Sequence, residues 1–131
     1  MASMHVVERG SGLVHIWLHC MFGCSRSLQA MSQGLAGRHI FPDARSHGLS
    51  PRGYDITIES MADDTLRILD ERKVEKAVIV GHSMGGKVAM CAVSRQPGRF
   101  SKVVVLDVAP IDYGKVIPET AGEIYKGVRL T

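Results

Sequence analysis

No apolar stretch in the 131 residues approaches the roughly 20 that a membrane-spanning helix needs. The first dozen residues, with His5, Glu8 and Arg9 among them, hold no apolar core of the kind a secretory signal carries. Charge runs are missing as well. The net charge of +3 comes from Lys and Arg scattered along the chain, and aromatic residues that could stack on bases make up only 5%. These absences argue against a membrane span and against nucleic acid as a partner. Cysteine is scarce and odd in number, with Cys20, Cys24 and Cys91 alone, so reduced thiols and a soluble, cytoplasmic protein are expected in place of a disulfide framework. His19, Cys20 and Cys24 supply at most half of a zinc site, and no second cluster stands at a usual spacing to complete four ligands. No metal or other cofactor is expected. Internal repeats and low-complexity tracts are lacking too.

What the chain does contain is enough apolar residue for a core: 45% are hydrophobic and 22% charged, the balance of a globular domain. Val14 to Leu18 is a short apolar run that predicts a strand, followed by a loop through Gly23 to Ser27 and a helix from about Leu28 to Leu35, closed by Gly37. Ile40 and Phe41 predict a brief strand ended by Pro42. Asp43 to Gly53 is a polar loop broken by Gly48, Pro51 and Gly53, a candidate for the functional edge. Thr57 stands where a helix N-cap belongs, and Ile58, Met61, Ala62, Leu66 and Leu69 recur at helical spacing up to Arg72 and Lys73. Ala77 to Val80 is apolar at every position, as in a strand buried on both faces of a parallel sheet. A helix follows Ser83 until Pro97-Gly98, and Val103 to Val108 repeats the buried-strand pattern. This alternation predicts an α/β fold, a mainly parallel sheet with helices on both faces. After Pro110 the pattern weakens, with Gly114, Pro118, Gly122 and Gly127 interrupting each candidate helix.

Gly81-His82-Ser83-Met84-Gly85 matches Gly-x-Ser-x-Gly at the junction of a predicted buried strand and a predicted helix, the context in which that motif lifts a serine hydroxyl clear of the sheet. The helix start behind Ser83 offers unpaired amides, so the Met84 N–H is a candidate donor to an oxyanion. Two other readings of the segment exist. Gly81 and Gly85 could serve only close packing, with Ser83 as an N-cap. Gly81-x-x-x-x-Gly86-Lys87 also satisfies most of a phosphate-binding loop, but the next residue, Val88, has no hydroxyl for magnesium.

His19-Cys20-Met21-Phe22-Gly23, Pro42-Asp43-Ala44-Arg45-Ser46-His47-Gly48, Gly81 through Lys87 and Asp107-Val108-Ala109-Pro110-Ile111-Asp112-Tyr113 resemble segments of the α/β-hydrolase superfamily, in the family's order. The likeness is closest to small bacterial carboxylesterases and thioesterases and their mitochondrial relatives, and runs from about Val14 to Tyr113. It implies a partial α/β-hydrolase fold, with residues 1–113 as the N-terminal part of the core and 114–131 as the start of a cap or a loosely ordered tail. It also implies hydrolysis of a small-molecule carboxylic ester or thioester through an acyl intermediate on Ser83, with the Met21 backbone as second oxyanion donor. Asp107 occupies the place where some members put the catalytic acid; a structural carboxylate capping the strand end is the alternative there, and Asp112 is a weaker candidate acid.

The chain departs from the family at three points. Cys20 stands for a glycine in the oxyanion loop, which is expected to narrow or reshape it, and Ser46 stands for a glycine in the Arg-Gly-His-Gly loop, which is expected to restrict its turn. The third is larger. The family order is Ser, acid, His, and none of the six histidines, His5, His15, His19, His39, His47 and His82, follows Ser83. The resemblance assigns His19 and His47 structural roles and turns His82 away from the serine. The expectation is therefore a serine esterase-like chain without its base, a poor catalyst alone. A competing expectation is a non-catalytic interaction protein that self-associates through an exposed sheet edge.

Overall fold

Ala77, Val78, Ile79, Val80 and Gly81 are all buried, as the uninterrupted apolar run requires, and they form an interior strand. The structure, a computed structural model, describes residues 3–106. Five strands, β1 (Val6–Ser11), β2 (Val14–Leu18), β3 (Gly37–Pro42), β4 (Ala77–His82) and β5 (Phe100–Leu106), lie in the order β1-β3-β2-β4-β5. The β2–β3, β2–β4 and β4–β5 pairs are parallel, and their crossovers hold α1 (Arg26–Gln29), α2 (Ile58–Glu71) and α3 (Met84–Arg95).

Alternation along the strands sends side chains to two cores. Ile16, Leu18, Ile40 and Ile79 pack with Leu66 and Leu69 of α2 and Val88 and Ala92 of α3 on one face. Trp17, Phe41, Val78 and Val80 pack with Leu28 of α1 on the other. Helices thus cover both faces, as expected. The most regular of them, α2, starts where the sequence indicates: Thr57 is extended, with φ −119°, and its hydroxyl accepts the Ser60 N–H at 3.1 Å.

Three elements differ from expectation. β1 carries no sequence signal because only Val6 and Val7 of its residues are apolar; it runs antiparallel at the edge of the sheet beside β3, with Glu8 to Ser11 exposed, so little burial is needed to hold it. The helix expected over Leu28 to Leu35 is instead the single turn of α1 followed by a 3₁₀ turn at 30–32. There the Ser32 hydroxyl donates to the Gln29 carbonyl at 2.7 Å, competing with the helical ladder, and Gly34 turns left-handed at φ 82°. β5 begins at Phe100, ahead of the expected Val103. Asp107, Asp112 and the 114–131 segment lie outside the described residues. Among the described residues, no helix is long and apolar enough to cross a membrane.

Candidate active site

Ser83 is the one residue between the end of β4 and the start of α3, and its backbone sits at φ 53°, ψ −110°, a conformation that a non-glycine residue adopts only when its surroundings compel it. Those surroundings can be named. The Ser83 N–H donates to the Leu106 carbonyl of β5 at 2.9 Å, while its own carbonyl accepts from Gly86 at 2.9 Å and Lys87 at 3.3 Å. The residue therefore ends one strand pairing and starts one helix with no intervening loop. Its hydroxyl makes no helix-capping hydrogen bond, so the capping reading does not account for it. Neither does a phosphate-binding loop, because Gly85, Gly86 and Lys87 are already helical, leaving no loop to wrap a phosphate.

The flanking glycines answer to contact, not to backbone freedom. A β-carbon on Gly81 would stand 2.2 Å from the Gly85 carbonyl oxygen, and one on Gly85 would stand 2.1 Å from that of Leu18. The first turn of α3 is thereby pressed against the ends of both β4 and β2. Met84 is the first residue of α3, where the backbone N–H has no partner within the helix. The loop that leaves β2 beside Gly85 carries Met21, which is 41% exposed, at its tip. A turn hydrogen bond from Gly23 N–H to the Cys20 carbonyl, 3.0 Å, closes that tip, and Phe22 in it is left-handed at φ 62°. Cys20 itself does not take a positive φ, so the loop is built around a side chain at that position, and the left-handed residue falls two places later.

Ser46 does adopt the turn its missing glycine was expected to favour. At φ 60° its hydroxyl donates to the Tyr54 carbonyl at 3.1 Å and accepts the Tyr54 N–H at 3.2 Å, two bonds that a glycine could not make and that offset the strained backbone. The same loop is tied to α2 by Arg45, whose guanidinium makes paired bonds of 2.7 and 2.8 Å to the buried Asp64. That carboxylate holds the Arg45 proton more tightly than usual, against the opposing effect of burial.

The histidines are mostly committed elsewhere. His19 is buried; its Nε2 accepts the Ala44 N–H at 2.9 Å, so the ring proton must lie on Nδ1, which donates to the Cys20 carbonyl at 2.7 Å. Burial pushes its pKa down, and with both nitrogens engaged it has no lone pair to offer a serine. His47 packs 5.3 Å from it and donates from Nδ1 to the Arg45 carbonyl, while its buried Nε2 meets no hydrogen-bond partner among the described residues. His39 is held between Trp17 Nε1 and the Leu35 carbonyl and stacks on His15. Among the described residues no cluster of His, Cys, Asp or Glu could hold a metal ion, including His19, Cys20 and Cys24.

Sequence reasoning missed Asp43. It is 2% exposed, and its carboxylate accepts the N–H of Ser25 at 2.6 Å and of Leu49 at 2.9 Å, joining the two loops beside Ser83. Burial raises its pKa, but those hydrogen bonds and the nearby His5 outweigh that and leave it below the ordinary value. A carboxylate directly after a strand-ending proline, five residues before a glycine, was the available signal. A small cavity of about 30 Å³ lies behind the turn, lined by Leu18, His19, Asp43, Met84, Gly85 and Val88.

A family described as alpha/beta hydrolase fold matches residues 16–128. Among curated relatives, the esterase YbfF of Escherichia coli K12 is 38% identical over 100 residues, 75% of this chain and 39% of that protein. The sn-1-specific diacylglycerol lipase ABHD11 of Danio rerio is 35% identical over 106 residues, 78% of this chain and 33% of that protein. A solved structure described as a marine microorganism esterase superposes with a TM-score of 0.80 at 30% identity, covering 97% of this chain and 52% of that one. The chain thus spans about two-fifths or less of the length of the curated relatives it matches.

Proposed function

Because the chain belongs to the α/β-hydrolase fold family, we infer that it is the N-terminal, nucleophile-bearing part of a serine hydrolase acting on carboxylic esters or thioesters. Ser83 is the attacking group, and the backbone N–H groups of Met21 and Met84 are the oxyanion donors. The observation that carries this reading is the backbone of Ser83 at φ 53°, ψ −110°, between a buried strand and a helix start. A strained conformation with no capping role persists where it serves chemistry. In the reaction the Ser83 hydroxyl gives its proton to a base as its oxygen adds to the substrate carbonyl, the carbonyl oxygen takes the negative charge toward the two amides, and collapse expels the leaving group, which takes up that proton to depart as alcohol or thiol, leaving an acyl-serine that water hydrolyses.

Asp107 is the proposed acid, with a structural capping carboxylate as the alternative role for the same residue. Residues 1–113 belong to the hydrolase core and 114–131 lead toward a cap. The exposed Met21, Phe22 and Leu49, the last two 94% and 77% exposed, are apolar surface for that cap or an apolar acyl group to cover. None of the residues from Ser83 to Thr131 is a histidine, so the base of the proposed reaction is not among these 131 residues after the nucleophile. A fluorophosphonate probe tests the reading: it labels Ser83, and the Ser83→Ala variant stays unlabelled. Equal labelling of the two would sink it.

A second reading is favoured by β5, which pairs only with β4 among the described residues. An open strand edge of this kind supports a non-catalytic chain that self-associates edge to edge. Light scattering separates the two: that reading requires oligomers with no turnover of p-nitrophenyl acetate, and a hydrolysing monomer refutes it.

A further inference from the structure

The loop from Cys20 to Cys24, which carries Met21, is anchored at both ends by two consecutive residues of one neighbouring segment. At its entry the His19 ring accepts the Ala44 N–H at 2.9 Å. At its exit the Asp43 carboxylate accepts the Ser25 N–H at 2.6 Å. Asp43 and Ala44 directly follow Pro42, the last residue of β3, so the anchor is continuous with the sheet. Asp43 is itself held on three further sides: its second oxygen accepts Leu49 N–H at 2.9 Å, its carbonyl accepts the Ser50 hydroxyl at 2.6 Å, and its N–H donates to the His5 carbonyl at 2.8 Å. Gly48 is packed so tightly that a β-carbon there would stand 2.3 Å from the Asp43 carboxylate.

Between these anchors a single turn hydrogen bond, from Gly23 N–H to the Cys20 carbonyl at 3.0 Å, closes the tip, and the exposed side chains at that tip add no packing to hold it against the rest of the molecule. Phe22 is left-handed at φ 62°, which its side chain disfavours, and that side chain is 94% exposed and gains no packing to compensate. Met21 is likewise largely in solvent. The turn bond shapes the tip itself, and the two anchors set how that tip, with the Met21 N–H in it, sits against the Ser83 turn. We propose that Asp43 is a positioning residue of the hydrolase centre: by holding the Ser25 end of the loop it aims the Met21 N–H at the oxyanion. The Asp43 carboxylate touches no reacting atom in this role. The proposal rests on the hydrolase reading, and its test separates the two.

Asp43→Asn keeps the side chain's volume but leaves one oxygen to accept two N–H groups and turns an NH₂ toward the other. The measurement, on the 131-residue chain, is fluorophosphonate labelling of Ser83 resolved into an encounter constant and a maximal rate, alongside hydrogen exchange. The maximal rate falls about tenfold, less than the loss of a whole oxyanion donor, while the encounter constant stays within about twofold. Exchange quickens over residues 19–27 and not over 77–92. Gly48→Ala, whose methyl displaces the carboxylate, gives the same pattern and decides the matter should the asparagine variant fail to fold. Wild-type labelling rates in both variants, with Ser83→Ala unlabelled, overturn the proposal. Labelling of Ser83→Ala at the wild-type rate removes the hydrolase reading; unchanged exchange over 19–27 then overturns the bracing role by itself.

Discussion

The β-carbon that Gly85 lacks would stand 2.1 Å from the carbonyl oxygen of Leu18, so the first turn of α3 touches the end of β2 through backbone alone. That contact sets how close the Ser83 turn lies to the loop bearing Met21.

Gly85→Ala must push α3 off the sheet, because the obstructing atom is backbone and cannot rotate away. A loss of about 3 kcal/mol in urea unfolding is expected, with Ser83 labelling abolished. Gly98→Ala is the control: nothing lies within 4 Å of its β-carbon position, so its effect stays within about 0.5 kcal/mol.

Asp64 holds Arg45 by two bonds where both side chains are nearly out of solvent, 7% and 12% exposed. Asp64→Ala removes the two shortest bonds to the guanidinium, leaving it the Asp55 carbonyl at 3.3 Å and the face of Tyr54, and costs about 2 kcal/mol by chemical denaturation. Arg67 meets the same carboxylate from a 39% exposed position, so Arg67→Ala costs less than about 1 kcal/mol.

Stability falls on the acid side of neutrality. Burial lowers the pKa of both His15 and His19, aided in His15 by the neighbouring His39 and in His19 by His47. Both groups favour the neutral form when folded, so the unfolded chain takes up protons first. Stability is full above the unfolded value of about 6.5 and declines as pH drops from there toward the lowered folded values. Urea midpoints at pH 7.5 and 5.5 measure the decline. His19→Gln, which cannot titrate, makes it shallower; an unchanged slope would show that His19 contributes nothing.

Imidazole in solution should stand in for the base absent beyond residue 82. Its addition raises the acylation of Ser83 by p-nitrophenyl acetate by about tenfold, below what an aligned base supplies. Acetylation is followed by mass spectrometry of the peptide containing residue 83, with Ser83→Ala as background. No acetyl group at that residue at any imidazole concentration counts against the serine as nucleophile.

Most of the fold was legible because burial leaves a periodic trace. β4 is apolar at consecutive positions since both its faces are covered, and α2 repeats its apolar residues along one stripe behind Thr57. β1 left no trace because an edge strand needs its backbone partners more than its side chains. The region after Ser25 misled, since Leu28, Met31 and Leu35 have helical spacing, yet Met31 and Leu35 are each 52% exposed and only Leu28 reaches the core.

The candidate site divides in the same way. Sequence alone determined the Gly81-x-Ser83-x-Gly85 junction, because a strand that must turn into a helix within one residue leaves few residue types able to occupy the bend. Only the tertiary structure decided that Gly85 rests on Leu18, that His19 is neutral with both nitrogens occupied, and that Asp43 spans to Ser25. The Asp43–Ser25, His19–Ala44 and Gly85–Leu18 contacts join residues 18 to 67 positions apart, and a hydrogen bond or a steric limit between distant residues imposes no period on the chain for a sequence to display.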